Sequence, residues 1–183
     1  MTSNNWSQAT LGELAEYIAR GIAPKYSDVS GITVLNQKCI RDFDISLEPS
    51  RLHDTSKKVS MEKRLQLYDV LINSTGIGTA GRVAQWMIPM DATCDSHVTI
   101  VRPNKERIDA HYFGYAIKAQ QLLIESFAEG STGQTEMNKQ RLCDEVIIKY
   151  PEDMLIQKKI AGLLFDIDEK VKANMGINEN LAA

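Results

Sequence analysis

Hydrophobic residues recur in alternating steps of four and three along the C-terminal part of the chain, with Lys170 and Asn174 filling the one gap in the series. This spacing is typical of the seam of a coiled coil. Pro151 can open such a helix, because the N–H that it lacks is not needed at a helix start. The pattern predicts a helix over 151–183, about 45 Å long. The positions predicted to pair two such helices are Ile156, Ile160, Leu163, Leu164, Ile167, Val171, Asn174, Ile177 and Leu181.

Shorter patterns of both periods precede this helix. Thr10 and Glu13 form a capping box, and the apolar spacing that follows predicts a helix over 11–20 that ends at Gly21. Runs of β-branched and apolar residues predict strands at 32–35 (with an extension towards Ile40), 69–73, 82–86, 97–101 and 146–148. Helices are predicted at 112–127 and 138–142, and a long loop at 42–61. Short strands among helices are typical of an α+β (mixed α/β) fold, so we predict one such domain over 1–150, followed by the long helix.

Composition places the chain among ordinary globular proteins. Its 183 residues, of which 43% are hydrophobic and 25% charged, suffice for one substantial core. The cysteines Cys39, Cys94 and Cys143 form no C-x-x-C pair and the three histidines are scattered, so we expect no metal site, no disulfide framework and a reducing compartment. The polar N-terminus lacks the core of a signal peptide, and no apolar run is long enough to span a membrane. We therefore expect a cytoplasmic protein.

Charge is unevenly distributed along the chain. The net charge of −3 does not by itself indicate a nucleic-acid binder. One segment, 51–64, nevertheless holds five basic residues, namely Arg51, Lys57, Lys58, Lys63 and Arg64. Such a run fits either a solvated loop or a patch that contacts phosphates, and composition alone does not choose between them.

The stretch 76–81 reads GIGTAG, which is a literal G-x-G-x-x-G motif. A dinucleotide or S-adenosylmethionine site would need a helix to begin there, so that its N-terminus meets the ligand. The residues that follow, RVAQWMI and then Pro89, favour a strand instead. We therefore predict a strand, a glycine-rich turn with positive φ angles and a second strand. No methyltransferase motif and no nucleophile with a neighbouring base is present, so we predict no catalytic residue and no cofactor.

Five stretches occur in a characteristic order: WSQATLGELAEYI at 6–18, YDVLINSTGIGTAGRV at 68–83, SHVTIVRP at 96–103, GSTGQT at 130–135 with Lys139 after it, and a helical region that ends in INENL. Together they resemble the specificity (S) subunit of type I restriction–modification systems. Members of that family usually carry two target recognition domains and two conserved helical regions, whereas this sequence has one of each. The resemblance therefore implies a half-size subunit, or a fragment of a longer one, that would form a homodimer.

The resemblance also implies a function. Such a subunit has no catalytic activity of its own and reads double-stranded DNA for separate methylation and restriction subunits. Since cations on phosphates fix position and side chains on base edges specify sequence, the candidate DNA contacts are Arg51, Lys57, Lys58, Lys63, Arg64, Ser74, Thr75, Thr79, Arg82, Ser131, Thr132, Gln134, Lys139 and Arg141. A two-fold dimer would read a palindrome of two half-sites with a spacer. The alternatives are a free-standing dimeric DNA-binding regulator and, less in keeping with the turn, a cofactor-binding enzyme.

Overall fold

This computed structural model describes residues 5–129 and 136–182. Its strands are β1 (Trp6–Thr10), β2 (Ala15–Arg20), β3 (Tyr26–Ser27), β4 (Ile32–Leu35), β5 (Ile40–Arg41), β6 (Asp44–Ile45), β7 (Arg51–His53), β8 (Val70–Asn73), β9 (Val83–Gln85), β10 (Ala92–Cys94), β11 (Val98–Pro103), β12 (Ala128–Glu129), β13 (Glu136–Met137) and β14 (Ile147–Pro151). Its helices are α1 (Leu11–Leu14), α2 (Ala110–Lys118), α3 (Gln121–Ser126), α4 (Lys139–Glu145) and α5 (Met154–Ala182). The mixed α and β composition agrees with the predicted fold class.

The middle of the domain is an antiparallel sheet in the order β2-β11-β8-β9. Successive side chains of a strand point to opposite faces. Val70 and Ile72 on β8 therefore enter one core, while Leu71 enters the other. All three are fully buried, which explains why this strand reads as a continuous apolar run.

A second sheet, in the order β10-β4-β7-β3, covers one face of the central sheet. Within it, β10 pairs in parallel with β4, so that Cys94 lies opposite Leu35. Trp86 is the largest side chain of the core between the sheets. This core also contains Leu35, Cys39, Ile40, Leu65, Leu71, Ala84, Ala92, Cys94, Val98 and Ile100.

Helices cover the opposite face of the central sheet. Phe113 and Ile117 of α2, with Ile124 of α3, pack there against the buried side chains of β8 and β9. Nearby, β1 pairs with β14, which brings Trp6 opposite Pro151. The beginning of the domain is thereby joined to the strand that leads into α5.

The helix predicted over 11–20 is wrong beyond its first turn. The capping box of Thr10 and Glu13 is present, but α1 ends at Leu14. The chain continues as β2, because Ile18 pairs with Val101 across the sheet. Gly21 does not stop a helix either. A Cβ there would overlap the backbone of β10, so glycine permits a close approach of two chain segments.

The other predicted elements are confirmed with shifted bounds. The strands predicted at 32–35, 69–73, 82–86, 97–101 and 146–148 correspond to β4, β8, β9, β11 and β14. A 3-10 helix, Gln37–Cys39, interrupts the extension towards Ile40. The helix predicted over 112–127 is divided into α2 and α3, that over 138–142 is α4, and the loop 42–61 contains β6 and β7.

The long C-terminal helix is present as α5, whose 29 residues span about 44 Å. It begins after Asp153, whose carboxylate accepts the N–H of Leu155 at 2.7 Å, whereas Pro151 is the last residue of β14. Gln157 and Ala161 are buried against the body of the domain. In the part of the chain that the structure describes, no helix is long and apolar enough to cross a membrane.

Candidate nucleic-acid interface

Residues 74–82 form a glycine-rich turn between β8 and β9. Gly76, Gly78 and Gly81 have φ angles of 107°, 70° and 88°, which side chains other than glycine rarely adopt. The N–H of Ala80 donates to the carbonyl of Gly76 at 2.9 Å, and that of Gly81 donates to the carbonyl of Asn73 at 2.8 Å. A strand follows, as predicted. The GIGTAG motif therefore lacks the helix that a cofactor-binding loop requires.

The hydroxyl groups of this turn differ in their accessibility. Ser74 is buried, and its hydroxyl lies 2.5 Å from that of Thr99. A DNA contact by the Ser74 side chain is therefore not supported by this geometry. Thr75 and Thr79 are partly exposed. The Thr75 hydroxyl lies 2.8 Å from Nδ1 of His97, and that of Thr79 donates to the Thr75 carbonyl at 3.3 Å. Both hydroxyls are thus held in defined positions.

The strand that follows the predicted loop 130–135 adjoins the glycine-rich turn. The N–H of Met137 donates to the Ser74 carbonyl at 2.8 Å, and Thr75 and Glu136 form a bridge. Glu136 also accepts a hydrogen bond from Arg20 at 2.5 Å. Three predicted contacts, Ser131, Thr132 and Gln134, lie outside the described residues. Arg82 is partly exposed at the other end of the turn.

Two cations predicted to contact DNA, Lys139 and Arg141, are engaged within the protein. The ammonium group of Lys139 donates to the carbonyl of Ile18 at 2.7 Å. Arg141 forms an ion pair with Glu145 at 2.8 Å and lies 4.5 Å over the ring of Phe127. Both stay predictions as phosphate contacts, and each would have to exchange an internal partner for DNA.

The basic segment 51–64 is divided by the fold into held and exposed cations. The ammonium group of Lys63 donates to the carbonyl of Gly21 at 2.8 Å, and Arg64 forms an ion pair with Asp91 at 2.5 Å. These two side chains connect the segment to neighbouring loops. The geometry therefore favours a structural role for Lys63 and Arg64 over the predicted phosphate contacts.

Three cations of the segment are exposed, namely Arg51, Lys57 and Lys58. The guanidinium of Arg51 lies 3.5 Å from the ring centroid of Tyr26, so its plane is supported by an aromatic face. The ammonium group of Lys57 donates to the carbonyl of Ala23 at 3.2 Å, but the side chain as a whole is exposed. Exposed groups of this kind can contact phosphates at little cost in desolvation.

A buried histidine holds the loop that carries Lys57. His53 is 1% exposed, and its Nδ1 accepts the backbone N–H of Lys25 at 3.0 Å. The proton must then lie on Nε2, which donates to the Lys57 carbonyl at 2.8 Å. Beside it, the hydrogen bond from Lys25 holds the pKa of Asp54 well below its usual range. This role of His53 has no signal in the sequence, because nothing local shows which groups surround a lone histidine.

A buried ion pair lies beneath the same segment. Nε and Nη2 of Arg102 donate to the two carboxylate oxygens of Asp69 at 2.9 and 2.8 Å, and Nη2 also donates to the Arg64 carbonyl at 2.9 Å. Burial raises the pKa of Asp69, and the hydrogen bonds from Arg102 oppose that effect. The pair fixes the path of the backbone at Arg64. In the sequence this ion pair is visible only as one charged residue at the end of each apolar strand, Asp69 before β8 and Arg102 near the end of β11.

A cavity of about 170 Å³ lies where α5 meets the body of the domain, between α2, β9 and the β5–β6 hairpin. The ring of His111 lies near those of Tyr115 and Phe165, with centroids 5.2 and 5.5 Å apart. Burial lowers the pKa of His111. No cluster of three or more metal-ligating side chains occurs among the described residues. Because His111 belongs to α2 and Phe165 to α5, their ring contact helps to attach α5 to the domain.

Ion pairs close the same junction on both sides. Lys118 of α2 pairs with Asp168 of α5 at 2.8 Å, and Lys172 of α5 pairs with Asp44 of the hairpin at 3.1 Å. Burial and the hydrogen bond to Asp168 raise the pKa of Tyr115. One side of α5 is thus fixed to the domain as far as Lys172.

The predicted pairing positions of α5 lie mainly away from the side of the helix that carries Asp168 and Lys172. Ile156, Ile160 and Leu164 are partly buried, and Ile160 packs against the core on the helical side of the central sheet. The exposed members are Leu163, Ile167, Val171, Asn174, Ile177 and Leu181, and the apolar ones among them are each at least half exposed. Pairing with a second helix stays a prediction, but the apolar surface that it needs is present.

Comparison with known proteins identifies the family. The model of the type I restriction modification DNA specificity domain matches residues 3–183, which is nearly the whole chain. The chain belongs to this family. No curated protein sequence is significantly similar to it. The resemblance of the five stretches to specificity subunits is thereby confirmed.

Solved structures of type I specificity subunits share the fold. The S subunit from M. genitalium superposes with a TM-score of 0.68 at 18% identity, over 94% of this chain and 41% of that one. The HsdS subunit from Thermoanaerobacter tengcongensis gives 0.64 at 19% identity, over 94% and 39%. A chain from a structure on complex assembly and conformational transition of the type I R-M system gives 0.69 at 18% identity, over 94% and 40%. This chain spans about two fifths of the length of these structures.

Proposed function

We propose that this chain is the DNA-reading component of a type I restriction–modification system and that its domain reads one half of a bipartite target. Membership of the DNA specificity family supports the proposal, as does a fold shared with S subunits over 94% of the chain. The glycine-rich turn would approach the base edges. The exposed cations Arg51, Lys57 and Lys58 would contact phosphates and fix the position of the domain on the duplex.

The exposed apolar stripe on α5 is the observation that carries the proposal furthest. Asp168 faces the domain, and Ile167 lies about 100° away around the helix. A partner helix can therefore pack along Ile167 and Val171 without displacing the contacts that hold α5 to its own domain. A second copy of this chain is a suitable partner for the stripe. In a two-fold dimer each copy contributes the same surface, so the exposed apolar side chains of one α5 would pack against those of the other.

Pairing of this kind would explain a split target. Two antiparallel helices of about 44 Å would hold two domains more than one turn of DNA, about 34 Å, apart. The target of a homodimer would then be a palindrome of two short half-sites with an unspecified spacer. The paired helices would also present a common surface to the methylation subunit and, through it, to the restriction subunit. In this arrangement the chain is not itself catalytic.

The test combines the mass of the purified chain with its DNA footprint. Light scattering is expected to give the mass of a dimer. Selection from a randomised duplex pool should yield two half-sites related by two-fold symmetry, and footprinting should show two protected regions with an open spacer. A monomer protecting a single uninterrupted site would contradict the proposal.

The alternative regulator is distinguished by its partners. We expect a methylation subunit encoded beside this chain to co-purify with it and to methylate the selected sequence only in its presence. A dimer that binds the same DNA without retaining the methylation subunit would favour a free-standing regulator.

A further inference from the structure

Ile77, at the tip of the glycine-rich turn, is an apolar side chain that the fold itself does not use. It is 74% exposed, whereas the other side chains of the turn are buried or polar. Its neighbours Gly76 and Gly78 have no side chains, so no adjacent side chain covers the isoleucine. A Cβ on Gly78 would meet nothing within 4 Å, so that side of the tip faces open space.

The tip is nevertheless held firmly. Gly76 has a φ angle of 107°, and a Cβ there would also collide with the Thr79 hydroxyl and the Gln37 side-chain oxygen, so the position strongly favours glycine. The N–H groups of Thr79 and Ala80 both donate to the Gly76 carbonyl, at 3.2 and 2.9 Å. The turn therefore presents the backbone of Ile77 in a fixed position, and little backbone entropy would be lost on contact with a ligand.

We propose that Ile77 determines specificity at one base pair of each half-site through apolar contact with the C5-methyl group of a thymine in the major groove. The inference rests on the proposed function. Of the base edges in the major groove, only thymine carries a methyl group, and apolar side chains read it. The hydroxyls of Thr75 and Thr79, at the foot of the same turn, suit the polar edges beside it.

An apolar side chain can also act as a wedge between base pairs in the minor groove. Unstacking costs free energy that is recovered when bent DNA wraps more protein surface. Within the turn itself, 74–82, Arg82 is the single basic residue, and Arg20, which reaches the foot of the turn through Glu136, is engaged in an ion pair. A methyl contact needs no such wrapping, so the surroundings of Ile77 favour it.

The experiment compares the full chain with Ile77→Val, which keeps a branched apolar group, and with Ile77→Ser, which does not. Each protein selects duplexes from a randomised pool. The wild-type chain and Ile77→Val should both prefer thymine at one position of each half-site, and Ile77→Ser should lose that preference alone. The control is Val29→Ala, which should keep the wild-type preference. Val29 is 91% exposed but lies before the start of β4, whereas the turn adjoins Gln37, which lies after the end of β4.

The second measurement replaces each thymine of the selected duplex in turn by deoxyuracil, which lacks the methyl group. Loss of one buried methyl should weaken wild-type binding about fourfold at the position that Ile77 contacts. Ile77→Ser should bind the thymine and uracil duplexes equally. The inference would be overturned if Ile77→Ser selected the wild-type sequence and lost as much affinity on the uracil duplexes as wild type does.

Two further outcomes distinguish failure of the methyl contact from failure of the proposed DNA-reading function. If the wild-type chain binds the thymine and uracil duplexes equally, Ile77→Ser weakens both by the same factor, and fluorescence energy transfer shows that the variant bends DNA less, then Ile77 is a wedge and the methyl contact is wrong. If the wild-type chain selects no sequence at all, the proposed function fails together with the inference.

Discussion

The side-chain amide of Gln157 joins the long helix to the domain, because its oxygen accepts the backbone N–H of Asp109 at 2.7 Å. Its nitrogen donates to the carbonyl of Pro151, also at 2.7 Å, and the residue is 1% exposed. Asp109 in turn caps α2 by accepting the N–H of Tyr112. The start of α2, the end of β14 and the first turn of α5 thus share one junction, which fixes the direction in which α5 leaves the domain.

Replacing Gln157 by leucine tests this junction. Leucine has a similar size but leaves two backbone groups, the part-buried N–H of Asp109 and the buried carbonyl of Pro151, without their partner. We expect the free energy of unfolding in urea to fall by about 2–4 kcal/mol. Lys158→Leu, at an exposed neighbouring position, should change it by less than about 0.5 kcal/mol. Equal effects of the two substitutions would mean that Gln157 does not hold the junction.

Asp168 makes the attachment of α5 depend on pH. Burial raises the pKa of its carboxyl group, but hydrogen bonds from Lys118 and Tyr115 outweigh this and hold the pKa below its ordinary value. The unfolded-state pKa is about 3.9. A carboxylate whose folded-state pKa is lower stabilises the fold above that value and loses its effect as the pH falls through the folded-state pKa.

Asp168→Asn should therefore lower the melting temperature near neutral pH, and the difference from wild type should narrow below about pH 4. Thermal unfolding followed by circular dichroism across this range measures it. Asp166→Asn, at an exposed position of the same helix, is the control and should change little at any pH. A difference for Asp168→Asn that is the same in acid and at neutral pH would argue against the ion pair.

Local sequence patterns were sufficient to predict the glycine-rich turn and α5. Glycines between two apolar runs, and a period sustained over many residues, are each set by the sequence of one segment. The helix predicted over 11–20 failed because Ile18 has helical spacing from Leu14 but pairs with Val101 instead. The advantage of that pairing depends on a strand about 80 residues further along the chain, which no local pattern can reveal.

The predicted DNA contacts show the same limit at the level of side chains. Lys57 and Lys63 are equally basic in the sequence. Only the fold shows that Lys63 is partly buried with a 2.8 Å hydrogen bond to the Gly21 carbonyl, whereas Lys57 is exposed and its bond to a carbonyl is longer, at 3.2 Å. The fold alone also shows that the Ser74 hydroxyl is buried against Thr99. Ile77 likewise has no distinguishing signal in the sequence, because the 74% exposure of its side chain is set by the fold around the turn.

Exposed and held cations of the basic segment should differ in their effect on DNA binding. Lys57→Ala combined with Lys58→Ala is expected to weaken binding to all sequences alike. The slope of log affinity against log salt should fall by about 0.9 for each phosphate that the variant no longer neutralises. Lys63→Ala should leave that slope unchanged and lower the melting temperature, because Lys63 holds the Gly21 carbonyl. The reverse pattern would place the phosphate contacts at Lys63.

Asn174 lies among the predicted pairing positions of α5 and is exposed in the single chain. A polar residue at a seam fixes the register of two helices, because a shifted pairing leaves its amide without a partner. Asn174→Leu is therefore expected to give a mixture of oligomers on analytical ultracentrifugation, where wild type gives one. An unchanged oligomeric state with a sharper melting transition would show that Asn174 is not buried in the pair.

Ile167 gives the most direct test of helix pairing. It is half exposed in the single chain, so aspartate there should leave the domain folded while placing a charge in the middle of the proposed seam. We expect light scattering to show a monomer for Ile167→Asp and a dimer for Lys158→Asp, which lies about 180° around the helix from Ile167. If each domain reads one half-site, as proposed, the monomeric variant should also protect one half-site instead of two. A dimer that survives the substitution with both half-sites protected would contradict pairing along α5.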